Sequence, residues 1–303
     1  MASFPLTVIR SAFRLTDHLA PRLAGRLAFE LFCRTPHPDK VSDKEARALA
    51  QAAPLMAEAR LHRLTTPTGC IAAYDFRPPA GTERRRTVLV IHGWRSRTDH
   101  MVAVIDALRR EGARVIAIDL PGHGKSSGRR LNMANAVEAA GMAAEWFGPF
   151  DAVIGHSFGG AVAVNAVVGS IQGVPPLPAE RLVLISAPNS MPTFFAEFGR
   201  MLELGPRSQT VLVNHVETLT GRPLEDFVGS LQLAEFEVPT LVIHAPEDKE
   251  VPAANAWAYE KAGPHIRLVW APGLGHRRIL AAPGVIEELT NFVAGERAPA
   301  LVN

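Results

Sequence analysis

The sequence predicts an α/β fold, a mostly parallel sheet covered by helices on both faces. Beyond residue 60, short β-rich runs alternate with helical stretches, the order that builds parallel strands joined by crossover helices. Those runs are continuously apolar: residues 87–91 read TVLVI, as strands buried on both faces do. The chain has 303 residues, 47% apolar and 20% charged, enough to bury a large core. That composition excludes a disordered chain, a collagen-like chain and a small disulfide scaffold. Lys plus Arg number 32 and Asp plus Glu 30, a net charge of +2 that offers no electrostatic case for nucleic acid as a partner. Cys33 and Cys70 have neither CxxC nor metal-ligand spacing, which points to a reducing, cytoplasmic setting and no zinc site. No apolar run reaches the roughly 18 residues of a membrane span.

The N-terminal segment, residues 1–60, reads as a helical arm. Arg10, Arg14, Arg22, Arg26 and Arg34 against Asp17 and Glu30 give residues 1–35 a charge of +3. The arginines interrupt every apolar stretch, so the segment does not read as a secretory signal. Leu19, Leu23, Leu27 and Leu31 recur every four residues, on one helical face, and Arg26 and Glu30 stand at i,i+4. Packing on the main domain, contact with a membrane surface or a partner, and a transit peptide are the readings open for it.

The remaining elements follow in order. Residues 64–77 read as a hairpin turning at Thr68-Gly69, and 78–86 as a charged loop. Strands are predicted over 87–91, 113–120, 151–155, 181–186, 239–244 and 266–270. Helices are predicted over 99–110, 132–147, directly after 155 to about 171, over 252–262 and over 283–294. The long connection between Ala187 and Val238 has helical patterns at 193–204 and 208–219, so residues 190–237 are expected to form a small lid. The core is then 61–189 with 238–303. Ligands of such sheets bind beyond the carboxyl ends of the strands, so the loops there are where chemistry belongs.

Gly155-His156-Ser157-Phe158-Gly159 lies between a strand and a small-residue helix. A sharp turn there exposes the serine hydroxyl above the sheet, and its crowding demands glycine two residues to either side. A serine hydroxyl is a weak nucleophile and needs a base. His276, in Gly-Leu-Gly-His after the last strand, is the candidate. His244, His265, His62, His100 and His215 stand at strand ends, helices or hairpins less suited to it, and His156 is expected to point away from the serine. Asp248, after the strand ending at His244, is the candidate acid that orients His276, with Glu247 its local rival. Backbone N–H groups of Phe158 and Trp94 are the expected oxyanion donors, and His92 the prop of the Trp94 loop. Gly124-Lys125-Ser126 lacks the first glycine of a phosphate loop, and Gly122-His123-Gly124 lacks the last glycine of a dinucleotide fingerprint.

HGW (92–94), DLPGHGKS (119–126), GHSFGG (155–160), HAPEDKEVP (244–252) and GLGH (273–276) together resemble the α/β-hydrolase fold superfamily, in its order and spacing. The resemblance implies about eight strands, a lid after the sixth, and a serine triad of the esterase and lipase kind. Dehalogenase and epoxide-hydrolase members have aspartate where Ser157 stands. The expected function is cleavage of a carboxylic ester or thioester through an acyl-enzyme, without cofactor or metal. Perhydrolysis by the same triad and non-catalytic ligand binding are the alternatives. Arg95, Arg97 and Arg277, with Arg278, fall on catalytic-end loops; they suit either an anionic substrate group or pairing with acids such as Asp99.

Overall fold

A computed structural model describes residues 4–37, 41–82 and 86–295. Three helices come first: α1 (Phe4–Leu19), α2 (Pro21–Cys33) and α3 (Asp43–Glu58). They are followed by β1 (Arg60–Thr66), β2 (Gly69–Phe76), β3 (Arg86–Ile91), α4 (Val102–Arg110), β4 (Ala113–Ile118), α5 (Met133–Phe147), β5 (Phe150–His156), α6 (Phe158–Val168) and β6 (Ala179–Ile185). Then come α7 (Met191–Leu202), α8 (Pro206–Thr220), α9 (Gly229–Glu235), β7 (Thr240–His244), α10 (Ala254–Glu260), β8 (Ile266–Trp270), α11 (Gly275–Arg278) and α12 (Pro283–Ala294). The eight strands form one sheet in the order β1-β2-β4-β3-β5-β6-β7-β8. β1–β2 and β2–β4 are antiparallel and the other pairs parallel.

The continuous apolar strands are explained by two separate cores. Side chains alternate across a strand: Leu89 and Ile91 of β3 join the core beneath α5 and α6, while Val88 and Val90 join the core beneath α4 and α12. Asn132 and Asn135 form a reciprocal capping box that starts α5 at a defined residue. The predicted hairpin is present, but its two-residue turn is Pro67-Thr68, one residue earlier than expected, because Thr66 already pairs with Gly69. In the loop predicted over 78–86, residues 83–85 lie outside the described residues. Arg86 at its end belongs to β3 and pairs with Asp151 and Glu180.

The arm departs most from expectation. Leu19 ends α1 and Pro21 begins α2, with Ala20 at φ −149° between them, so the four leucines do not share one continuous helix. The proline ring fixes φ at the first position of a new helix and cannot donate back to α1. The buried face of α2 is Ala24, Gly25, Ala28, Phe29 and Cys33, not the leucine row. Gly25 lies against α8, where a Cβ would stand 2.5 Å from the Ser208 carbonyl oxygen and 2.6 Å from Val211 Cβ. Close approach of two helices selects small residues over leucines. Glu30 pairs with Arg130 at 2.9 Å and not with Arg26.

The connection from β6 to β7 contains α7, α8 and α9, and the arm grips it. Arg14 pairs with Glu203 at 2.6 Å, Arg10 Nε donates to the Met201 carbonyl at 2.7 Å, and Asp17 accepts from Gly205 N–H at 3.0 Å and from the Ser208 hydroxyl.

Candidate active site

Ser157 occupies the turn between β5 and α6 at φ 55° and ψ −128°. A non-glycine residue in this region is strained and persists only where its surroundings fix it. They do so here: Ser157 N–H donates to the Ile185 carbonyl at 2.9 Å, and Gly160 N–H to the Ser157 carbonyl at 2.8 Å. Glycine is required around the turn because a Cβ at Gly155 would strike the Gly159 carbonyl, and one at Gly159 the carbonyls of Ile91 and His92. The serine side chain is partly exposed while Phe158 after it is buried.

His276 lies in α11, just beyond β8, and is buried. Its Nδ1–H donates to Asp248 Oδ2 at 2.7 Å. Asp248 Oδ1 accepts from the N–H groups of Glu250 at 2.8 Å and Val251 at 3.0 Å. Burial alone would raise the Asp248 carboxyl, but the hydrogen bonds from His276, Val251 and Glu250 outweigh it and hold the group far below the usual carboxylate range. Glu247 makes a different contact, accepting from Gly275 N–H at 3.1 Å. The rival acid therefore props the loop that carries His276.

Among the described residues Ser157 Oγ makes no hydrogen bond, and His276 Nε2 lies 3.7 Å from Glu250 Oε2. Asp248 and His276 are thus joined, while no hydrogen bond links His276 to Ser157 among the described residues.

The Trp94 loop is held by two histidines. His92 Nε2 accepts from Leu120 N–H at 2.9 Å, so its Nδ1–H donates to the Gly93 carbonyl at 2.7 Å. His123 Nε2 accepts from Arg95 N–H at 3.1 Å. Burial drives the His92 imidazole down to about 3, keeping it neutral and able to accept. Gly93 faces the serine: a Cβ there would stand 2.8 Å from Ser157 Cβ and 3.3 Å from its Oγ. Only glycine permits this close approach to the serine turn, and the neighbouring Trp94 and Phe158 rings meet edge to face at 5.4 Å.

The Gly124-Lys125-Ser126 segment is a structural turn. The buried Asp119 accepts from Lys125 N–H at 2.8 Å, Thr98 N–H at 2.9 Å and the Tyr74 hydroxyl at 3.0 Å, and Gly124 has no room for a Cβ beside it.

Of the four arginines, Arg97 pairs with Asp99 at 3.5 Å and Arg277 with Glu250 at 3.4 Å. Arg278 donates to the carbonyls of Leu274 and Gly273. Arg95 is exposed at φ 53°, directly after Trp94.

Sequence reasoning missed two contributors. His156 Nε2–H donates to the His276 carbonyl at 2.8 Å with the two rings 4.8 Å apart, so it positions the histidine backbone; burial pushes it down to about 3. The histidine inside G-x-S-x-G was the available signal. Phe32 of α2 lies 5.6 Å from Trp94 and 4.5, 5.3 and 5.8 Å from Phe195, Phe198 and Phe194. The arm thereby joins the helices above the sheet to the loop beside the serine, a contact no local pattern announces.

A family model described as "Alpha/beta hydrolase family" matches residues 88–289, well over half of the chain. The chain belongs to the alpha/beta hydrolase family. Among curated relatives of this hydrolase, the pimeloyl-[acyl-carrier protein] methyl ester esterase of Xanthomonas campestris pv. campestris is 27% identical over 253 residues, covering 68% of this chain and 94% of that protein. The dihydrolipoyllysine-residue acetyltransferase component of the acetoin cleaving system of Cupriavidus necator is 36% identical over 115 residues; these cover 34% of this chain, which spans only 30% of that relative's length. The crystal structure of a carboxylesterase from Bacillus subtilis shares the fold with a TM-score of 0.57 at 18% identity, covering 83% of this chain and 98% of that one. No helix among the described residues is long and apolar enough to cross a membrane.

Proposed function

We propose that this hydrolase cleaves a carboxylic ester or thioester through an acyl-enzyme. Ser157 is the nucleophile, His276 the general base and acid, and Asp248 the group that orients it. The N–H groups of Trp94 and Phe158 are the oxyanion donors. The observation that carries this reading is the strained Ser157 turn, closely approached by Gly93, together with the His276–Asp248 pair at 2.7 Å.

His276 Nε2 takes the Ser157 proton as Oγ adds to the substrate carbonyl, and the carbonyl oxygen takes the negative charge between the two N–H groups. Asp248, kept ionised by its three hydrogen bonds, fixes the tautomer with Nε2 free and stabilises the imidazolium. Collapse expels the alcohol or thiol, which takes the proton from Nε2. Water then adds to the acyl-enzyme with His276 as base, returning the acid product and free Ser157.

The helices α7 to α9 act in this reading as a lid. Phe32 and Phe195, which with Phe29, Met191 and Phe227 line an apolar cavity, receive the acyl group, with Trp94 in ring contact with Phe32, and Arg95, Arg97 and Arg277 select an anionic group. Arg95 is the strongest of the three, since the other two have carboxylates to give up first.

The test is a fluorophosphonate label located by peptide mass, combined with p-nitrophenyl esters from acetyl to palmitoyl, their thioester counterparts and one matched anionic ester. Labelling at Ser157 with turnover is expected. A folded chain that neither labels nor turns over any member is a binding protein, and acyl transfer to added peroxide in place of water makes it a perhydrolase.

A further inference from the structure

The outer face of the arm carries Val8 and Leu15 on α1, Leu19 at its end, and Leu23 and Leu27 on α2. All five are exposed, from 46% for Leu27 to 71% for Leu19. Val8, Leu15 and Leu19 stand at spacings of seven and four, and Leu23 and Leu27 at four, so each helix presents one apolar row. Arg22 and Arg26 are exposed beside the second row and make no ion pair among the described residues. Both acids of the helix pair are engaged elsewhere: Asp17 with Gly205 and Ser208, Glu30 with Arg130. The face is therefore apolar and basic, without an acid free to answer the arginines.

The arm is also fixed in direction. Arg10, Arg14 and Asp17 tie α1 to the turn between α7 and α8, and Gly25 and Ala28 seat α2 against α8 and the core. Two more exposed apolar side chains adjoin it on α7: Phe194, whose ring meets Phe32, and Met201, whose carbonyl takes Arg10.

We propose that this face seats the protein on an anionic lipid bilayer. The leucine rows enter the boundary between headgroups and acyl chains, while Arg22 and Arg26 meet lipid phosphates, their stems lying along the apolar surface. A second copy of the chain docked face to face would bring Arg22 and Arg26 against their own kind with no acid to offset them, so the charge favours lipid. The inference does not depend on the reaction catalysed.

The experiment is flotation of the full chain with vesicles of phosphatidylcholine alone and of phosphatidylcholine with phosphatidylglycerol. Wild type is compared with Leu23→Ser/Leu27→Ser and with Arg22→Gln/Arg26→Gln. Circular dichroism and the urea unfolding midpoint check that the variants fold. Flotation is expected with the anionic vesicles only, weakened at high salt, and each double variant is expected to lower the partition coefficient about tenfold or more. Folded wild type that stays in solution, or that floats equally with neutral vesicles, overturns the proposal. So does a dimer, found by analytical ultracentrifugation, that the leucine variant dissociates, for the face is then an interface between copies.

Discussion

The two halves of the candidate site are built by different means. Its floor consists of strand-end loops fixed by backbone hydrogen bonds and obligatory glycines: the Ser157 turn, the Asp248 turn, the His276 loop and Gly93. Its roof consists of α2 and α7, held above the floor by rings: Phe32 against Trp94, Phe194, Phe195 and Phe198. A floor of this kind tolerates almost no displacement, since a bond 2.7 Å long fixes both partners. A roof of packed rings can exchange one apolar shape for another at modest cost. In the proposed function the floor serves the reaction and the roof the choice of substrate.

The largest effect is expected from removing the groups of the floor proposed to react. Ser157→Ala is expected to lower kcat about 10⁴–10⁶-fold with the fold intact, and His276→Ala to do the same, with the double variant scarcely worse because the two act as one unit. Steady-state kinetics with a fluorophosphonate control measure this. A Ser157→Ala protein that still labels and turns over would mean that another residue is the nucleophile.

Within the floor, the two neighbouring acids should separate sharply. Asp248→Asn is expected to cost about 10⁴-fold in kcat, since the amide favours the wrong imidazole tautomer. Glu247→Gln keeps an acceptor for Gly275 N–H and should cost less than about tenfold. Equal losses would show that loop position, not the contact with His276 Nδ1, decides the role.

The floor should also be the acid-sensitive half. His92 and His156 are buried and held neutral down to about 3, against roughly 6.5 in the unfolded chain. Between those values the unfolded state binds more protons, so stability is fully present above about pH 6.5 and declines as pH falls toward 3. At pH 5 the loss is on the order of 2 kcal/mol per ring. Urea unfolding at pH 7 and pH 5 measures it, and His156→Gln should flatten the slope. A midpoint unchanged between the two pH values would contradict the neutral burial of both rings.

What could be read in the sequence divides along the same line. Ser157, Asp248 and His276 each follow an apolar strand, and a parallel sheet brings strand ends together whatever the intervening chain does. The Asp248–His276 contact was legible for that reason. The buried face of α2 was not, because apolar periodicity weighs Leu23 and Leu27 heavily and is blind to Gly25 and Ala28, which win on closeness of approach to α8. Phe32 was illegible because its partners lie more than sixty residues away and no backbone rule joins them. The turn at Pro67-Thr68 shows a smaller limit, where pairing register overrode the more turn-like Thr68-Gly69.

The roof is tested by Phe32→Ala. It should lower kcat/KM about tenfold for long apolar acyl esters while leaving the acetyl ester nearly unchanged, since only the longer chain reaches the missing ring. An equal loss for all acyl lengths would make Phe32 a prop of Trp94 and move it to the floor.

Glu250 sits on the border between the halves. It is exposed, 3.7 Å from His276 Nε2 and 3.4 Å from Arg277. While His276 is neutral, with its proton on Nδ1, the carboxylate faces a lone pair and gains nothing. In the proposed reaction, once Nε2 takes the serine proton, the same carboxylate attracts the imidazolium. That attraction is present in the transition state and absent before it, so it should raise kcat, but across a solvated rim it is weak. Glu250→Gln is expected to lower kcat/KM for a neutral ester by less than about fivefold, with the difference shrinking in high salt. A rise in activity would instead mean that Glu250 holds Nε2 away from Ser157 in the resting enzyme. A loss beyond tenfold would place this exposed carboxylate among the fixed groups of the floor.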